Sequence, residues 1–72
     1  MERIEEMTQG WYGRLDDLVT DLKDAGFEVE DANMEYVTAW GESEGDKDVF
    51  YTLWLEGTTT TFVVKTIKKE LI

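Results

Sequence analysis

Seventy-two residues carry 17 acidic side chains against 7 basic ones, a formal net charge of −10, and contain no His, Cys or Pro. A single domain of this length buries only about 60% of the surface its unfolded chain exposes; with neither a disulfide nor a Cys/His zinc site available, apolar packing must suffice, and three Trp, three Tyr and three Phe supply it. The charge argues against direct binding to a phosphate backbone or an anionic membrane surface, both of which are held through Lys and Arg.

The first 26 residues read as helix. Ile4, Met7, Trp11, Leu15, Leu18 and Leu22 recur at spacings of three and four, and Val19 joins them. The opposite stripe, with Glu2, Glu5, Glu6, Asp16, Asp17 and Asp24, forms an acidic ridge. Gly26 supplies the left-handed stop, and Leu22 and Phe27 fall where a Schellman motif places its apolar contact. Gly10 and Gly13 each cost about 1 kcal/mol relative to Ala inside a helix. The helix therefore runs from roughly residue 9 or earlier to residue 25. Thr8 is a second candidate start, capping a helix that leaves residues 1–7 as an arm or turn.

From residue 27 the period changes to two. Phe27 and Val29 alternate with Glu28 and Glu30, and Asp31-Ala32-Asn33 gives turn chemistry. Met34, Tyr36 and Trp40 continue on even numbers, a parity slip that means a bulge or a turn between two strands. Residues 41–48 read as a polar loop. Val49 to Glu56 and Thr60 to Ile67 are strands, joined by a Gly57-Thr58 two-residue turn. In that register Leu53 stands opposite Phe62 and Tyr51 opposite Val64. Val49, Tyr51, Leu53, Leu55, Phe62 and Val64 then share one face. Phe50, Trp54, Val63 and Ile67 share the other with Thr52, Thr61 and Lys65. Both faces are substantially apolar, whereas a solvated antiparallel face should be polar. Residues 1–8 or the tail Lys68–Ile72 folding over the second face, or a self-paired dimer, would cover it.

The expected fold is α+β: one domain, 1–72, with an N-terminal helix packed on a three- to four-stranded antiparallel β meander. No apolar run approaches the roughly 18 residues of a transmembrane helix. The acidic start is unlike a signal peptide, and the expected location is the cytoplasm.

Chemistry-bearing constellations are scarce. The sole Ser is Ser43, and without His or Cys no nucleophilic triad can form. Gly10-x-x-Gly13 lacks the strand that a phosphate cradle follows. Glu42-x-Glu44-x-Asp46-x-Asp48 resembles the start of an EF-hand ligand run. However, Gly45 precedes Asp46 where the EF-hand glycine follows its third ligand, and no twelfth-position Glu or second helix follows. The run reads as a solvated turn, so no metal, no cofactor and no enzyme are expected.

The charge is uneven. Residues 1–57 hold 16 acids and 4 bases, a net of −12, while residues 58–72 hold Lys65, Lys68 and Lys69 against Glu70. A helical ridge of carboxylates suits a solvated face, and it also suits presentation of negative charge to a Lys/Arg groove built for phosphates. In size and charge the chain resembles small phage-encoded inhibitors, anti-CRISPR proteins and DNA mimics among them. The resemblance is compositional and implies an inhibitor without direct nucleic-acid contact, docking on a basic protein surface. The candidate contact residues are Glu2, Glu5, Asp16, Asp17, Asp21 and Asp24 for charge, Glu42, Glu44, Asp46 and Asp48 as a second acidic edge, and Trp40, Phe50 and Trp54 as aromatic anchors. Trp11, on the helix's packing stripe, is expected in the core. The alternative function is a structural or assembly subunit that forms a homodimer through its second apolar sheet face.

Overall fold

The computed structural model describes residues 4–43, 45–58 and 60–71. The chain runs α1 (Ile4–Met7), β1 (Trp11–Tyr12), α2 (Leu15–Asp24), β2 (Glu28–Ala32), β3 (Tyr36–Ser43), β4 (Asp46–Gly57) and β5 (Phe62–Leu71). The five strands make one antiparallel sheet in the order β1-β5-β4-β3-β2, curled into a half-barrel. This corrects the expected helix on a three- to four-stranded meander: the molecule is mostly β, with the short helix α2 and the single-turn α1 against a curled five-stranded sheet.

The long N-terminal helix breaks where its glycines lie. Gly10 takes a positive φ, and residues 11–12 leave the helical path to pair with Val63 and Phe62 of β5. The apolar spacing of three and four is met by two helical pieces instead of one. Ile4 of α1 and Leu18 and Leu22 of α2 all reach the core. Trp11 does not. Strand alternation at β1 sends Tyr12 inward, where its ring stacks on Phe62 at 5.7 Å, and leaves Trp11 69% exposed. Thr8 is no N-cap either: its hydroxyl donates back to the Ile4 carbonyl at 2.6 Å, closing the end of α1.

The end of α2 follows the sequence expectation. Gly26, with φ 96°, is the left-handed residue. Its N–H donates to the Lys23 carbonyl at 3.0 Å and that of Phe27 to the Leu22 carbonyl at 2.9 Å, the paired bonds of a Schellman motif. The chain then enters β2, against which α2 packs.

The parity slip resolves into both a bulge and a turn. Val29 pairs with Ala39 but Asp31 with Thr38, so Glu30 is the extra residue in β2. At the turn, Asn33 Oδ1 accepts the N–H groups of Glu35 (2.8 Å) and Tyr36 (2.9 Å), the local turn chemistry its type favours. The expected loop 41–48 is mostly strand: β3 continues to Ser43 and β4 begins at Asp46.

The β4–β5 register also differs from the expected one. Gly57 pairs with Phe62 instead of opening a two-residue turn, and the Thr58 N–H donates to the Thr61 carbonyl at 2.8 Å. Leu55 pairs with Val64 and Leu53 with Ile67, which leaves Lys65 as a bulge. That extra residue turns Ile67 inward, where it packs on the core, and sends Thr66, Lys68 and Glu70 to the other side. The tail therefore continues β5 instead of folding over the sheet. The inner side buries Val37, Ala39, Val49, Tyr51, Leu53 and Phe62 together with Leu18 and Leu22, each large apolar side chain contributing roughly 1.5–3 kcal/mol relative to exposure.

Candidate functional site

Because Val37 and Ala39 of β3 and Val49, Tyr51 and Leu53 of β4 face the core, their even-numbered neighbours face outward. The antiparallel register aligns these neighbours in rows: Tyr36 opposite Trp54, Thr38 opposite Thr52 and Trp40 opposite Phe50. The rings of Tyr36 and Trp54 meet edge-to-face at 5.4 Å, and those of Trp40 and Phe50 lie tilted at 4.8 Å. Such cross-strand aromatic pairs stabilise a sheet by roughly 0.2–1 kcal/mol each. They also leave aromatic surface uncovered: Trp54 is 40% exposed, and Tyr36, Trp40 and Phe50 are half-buried.

The two borders of this face differ in charge. On one side the β2 bulge brings Glu30 and Asp31 together beside β3. The Trp40 Nε1–H donates to Glu30 Oε2 at 2.9 Å, and Thr38 Oγ1 accepts the Asp31 N–H at 3.1 Å. Glu28, opposite Trp40, shares this border. On the other side β5 places Thr66 opposite Trp54, Lys68 opposite Thr52 and Glu70 opposite Phe50. Lys68 lies 3.1 Å from Glu70, and Lys65 3.6 Å from Glu56. Both pairs are exposed and contribute little stability, but they offset the positive charge of this border. The acidic border is β2.

The sequence-derived candidates divide into separate groups. Trp40, Phe50 and Trp54 come together on the outer face. Asp16, Asp17, Asp21 and Asp24 are exposed on α2, whose other side is buried through Leu18 and Leu22. The helical ridge and the aromatic face thus lie on opposite sides of the sheet. Glu5 is exposed on α1. Glu42 and Asp48 are exposed near the β3–β4 tip, where Asp46 pairs with Ser43. Glu2 and Glu44 lie outside the described residues. Among the described residues no group of three His, Cys, Asp or Glu is placed to hold a metal ion. Asp21 also neighbours Tyr12: burial, then a hydrogen bond to the Asp21 carboxylate and its charge, push the Tyr12 hydroxyl up to about 12, and the same hydroxyl lies 3.4 Å from the Met7 carbonyl.

Sequence reasoning did not single out Tyr36, Thr38, Thr52, Glu28, Glu30 or Asp31 as part of a site. The even-numbered run Tyr36-x-Thr38-x-Trp40 was the available signal for the first two. Placing Glu30 beside Trp40 required the bulge, which strict alternation does not contain.

The chain matches no protein-family model, no curated protein in sequence and no solved structure in fold. Among the described residues no helix is long and apolar enough to cross a membrane.

Proposed function

We propose that this chain is a non-catalytic binding module that docks through its outer sheet face on a basic protein surface. One observation carries the reading: two cross-strand aromatic pairs, Tyr36/Trp54 and Trp40/Phe50, stand on an uncovered sheet face bordered by Glu28, Glu30 and Asp31. Rigid aromatics with little rotamer entropy to lose make effective interface anchors, and a carboxylate border selects cationic partners. The α2 ridge, on the far side of the sheet, adds long-range field that speeds encounter with a basic partner without touching it.

In its specific form the proposal is an inhibitor of the phage-encoded, anti-CRISPR or DNA-mimic kind, working in the cytoplasm against the groove of a protein that handles nucleic acid. The test is competition. The protein should displace a labelled DNA duplex from at least one of a panel of basic nucleic-acid-binding proteins, a CRISPR effector among them. Displacement should weaken as salt shortens the Debye length from about 10 Å toward a few ångströms. Failure against the whole panel would reject the proposal.

A second reading uses the same face. Trp54 and Trp11 leave large apolar surface open, which a second copy would cover in an isologous homodimer. A mass that stays monomeric at high micromolar concentration rejects that alternative.

A further inference from the structure

We propose, building on the binding-module reading, that the cation taken by the outer face is arginine, presented at positions i and i+4 of an extended segment. The spacing comes from the sheet. Along β3 the aromatic rows at Trp40 and Tyr36 are four residues apart, with the Thr38/Thr52 row between them. At roughly 3.3 Å per residue this is about 13 Å. An extended segment laid along β3 and β4 repeats its like-facing side chains with the same rise. Residues i and i+4 then stand over the two aromatic rows, and residue i+2 stands over Thr52, since Thr38 is buried beneath its neighbours with its hydroxyl engaged by the Asp31 N–H.

The preference for arginine over lysine comes from planar stacking at both rows and from the carboxylates beside the Trp40/Phe50 row. A guanidinium is planar and weakly hydrated, so it stacks on an aromatic face while its N–H groups stay free to reach a carboxylate edge-on. An ammonium offers a point charge with a tightly held hydration shell. Beside the Trp40 ring, Glu30 Oε2 already accepts the indole N–H at 2.9 Å. A carboxylate has further lone pairs to offer, so the same group can accept from a guanidinium lying over Trp40 and Phe50. Glu28 and Asp31 extend that border. The positive charges of the β5 border, Lys68 opposite Thr52 and Lys65 at the bulge, lie beside Glu70 and Glu56, so a cation meets the acidic side first. Aromatic platforms also stack nucleobases, but here the carboxylate border and the net charge of −10 oppose a phosphate backbone.

The test uses three short Gly/Thr-rich peptides: one with two arginines four residues apart, its lysine counterpart, and one with a single arginine. Each is titrated into the full chain by tryptophan fluorescence and calorimetry, with oligothymidine as a fourth ligand. The two-arginine peptide should bind about tenfold tighter than the lysine peptide, the sum of two modest cation–π preferences. The single-arginine peptide should be weaker than the two-arginine peptide by a comparable factor. Trp54→Ala, at an exposed position, should abolish the advantage of the second arginine, with circular dichroism confirming that the fold is kept. Equal affinity for arginine and lysine, no binding of any peptide, an unchanged profile in Trp54→Ala, or tighter binding of oligothymidine would each overturn the inference. If a basic protein from the panel is still captured, only the arginine preference falls; if none is, the binding-module reading falls with it.

Discussion

Phe27 lies directly over Gly41: a Cβ built at Gly41 would fall into the Phe27 ring, against Cδ1 and Cε1. Moving the Phe27 ring aside costs packing, because the ring is buried and meets Tyr51 edge-to-face at 5.5 Å, while its backbone is held by the N–H bond to the Leu22 carbonyl. Gly41→Ala should therefore destabilise the protein by about 1–3 kcal/mol, the range for overpacking a filled core, read from the midpoint of urea unfolding. Adding Phe27→Leu, which removes the ring edge, should recover part of the loss. A single Gly41→Ala variant as stable as the parent would show that the ring is not held.

The threonine turn carries a second stability prediction. Thr58 Oγ1 accepts the Thr61 N–H at 3.1 Å and the Thr60 N–H at 3.3 Å, so one side chain satisfies two backbone donors. Thr58→Val keeps the shape but removes the acceptor and should cost about 1 kcal/mol, whereas Thr58→Ser should stay near the parent. Denaturation midpoints with unchanged m-values test this. Equal midpoints for the Val and Ser variants would assign the register to strand pairing alone.

Alkaline stability should depend on Tyr12. Its hydroxyl titrates at an ordinary 10.0 in the unfolded chain and at about 12 in the fold, through burial and the neighbouring Asp21. A raised folded value means that the stabilising contribution is complete below pH 10. It declines as pH rises, because the unfolded state then releases its proton first, and it is fully lost above about 12. The difference in stability between the parent and Tyr12→Phe isolates this group from other side chains titrating in the same range. It should move in favour of the Phe variant across that window. In Asp21→Asn the phenolate titration should move back down toward its ordinary value.

These sites show which parts of the structure were legible in the sequence. The α2 terminus was, because Leu22, Gly26 and Phe27 act within one turn of chain. Phe50 and Trp54 on the outer face were legible too, since alternation along one strand needs no partner. Trp11 was not. Its place in a three-and-four spacing reads as helix, and only pairing with Val63, distant in sequence, turns it outward. The same limit explains Ile67, which a bulge at Lys65 carries from the expected outer face to the core. It also explains Glu30, brought to Trp40 by a bulge in β2. The β2 bulge showed in the sequence as a parity slip but not at which residue it falls, and the β5 bulge left no such mark, so every assignment downstream of it inherits the wrong face.

The separation of the helical ridge from the aromatic face yields the last prediction, which concerns rates. Under the binding-module proposal, charges remote from the contact act on encounter and anchors act on persistence. Asp16, Asp17 and Asp24 are exposed on α2, on the other side of the sheet from Trp54. Converting all three to Asn should slow association with a basic partner severalfold at low salt and leave the dissociation rate within about twofold. Asp21 is kept because it neighbours Tyr12. Asp16 and Asp17 sit in the first turn of α2, so the triple variant should also lose some helix-dipole stabilisation, about 0.3–1 kcal/mol per charge. Trp54→Ala should do the reverse, raising dissociation tenfold or more at an interface anchor with association nearly unchanged. Surface-plasmon traces at two salt concentrations separate these cases. If the triple Asn variant dissociates faster while Trp54→Ala does not, the ridge is the contact surface and the outer sheet face is not.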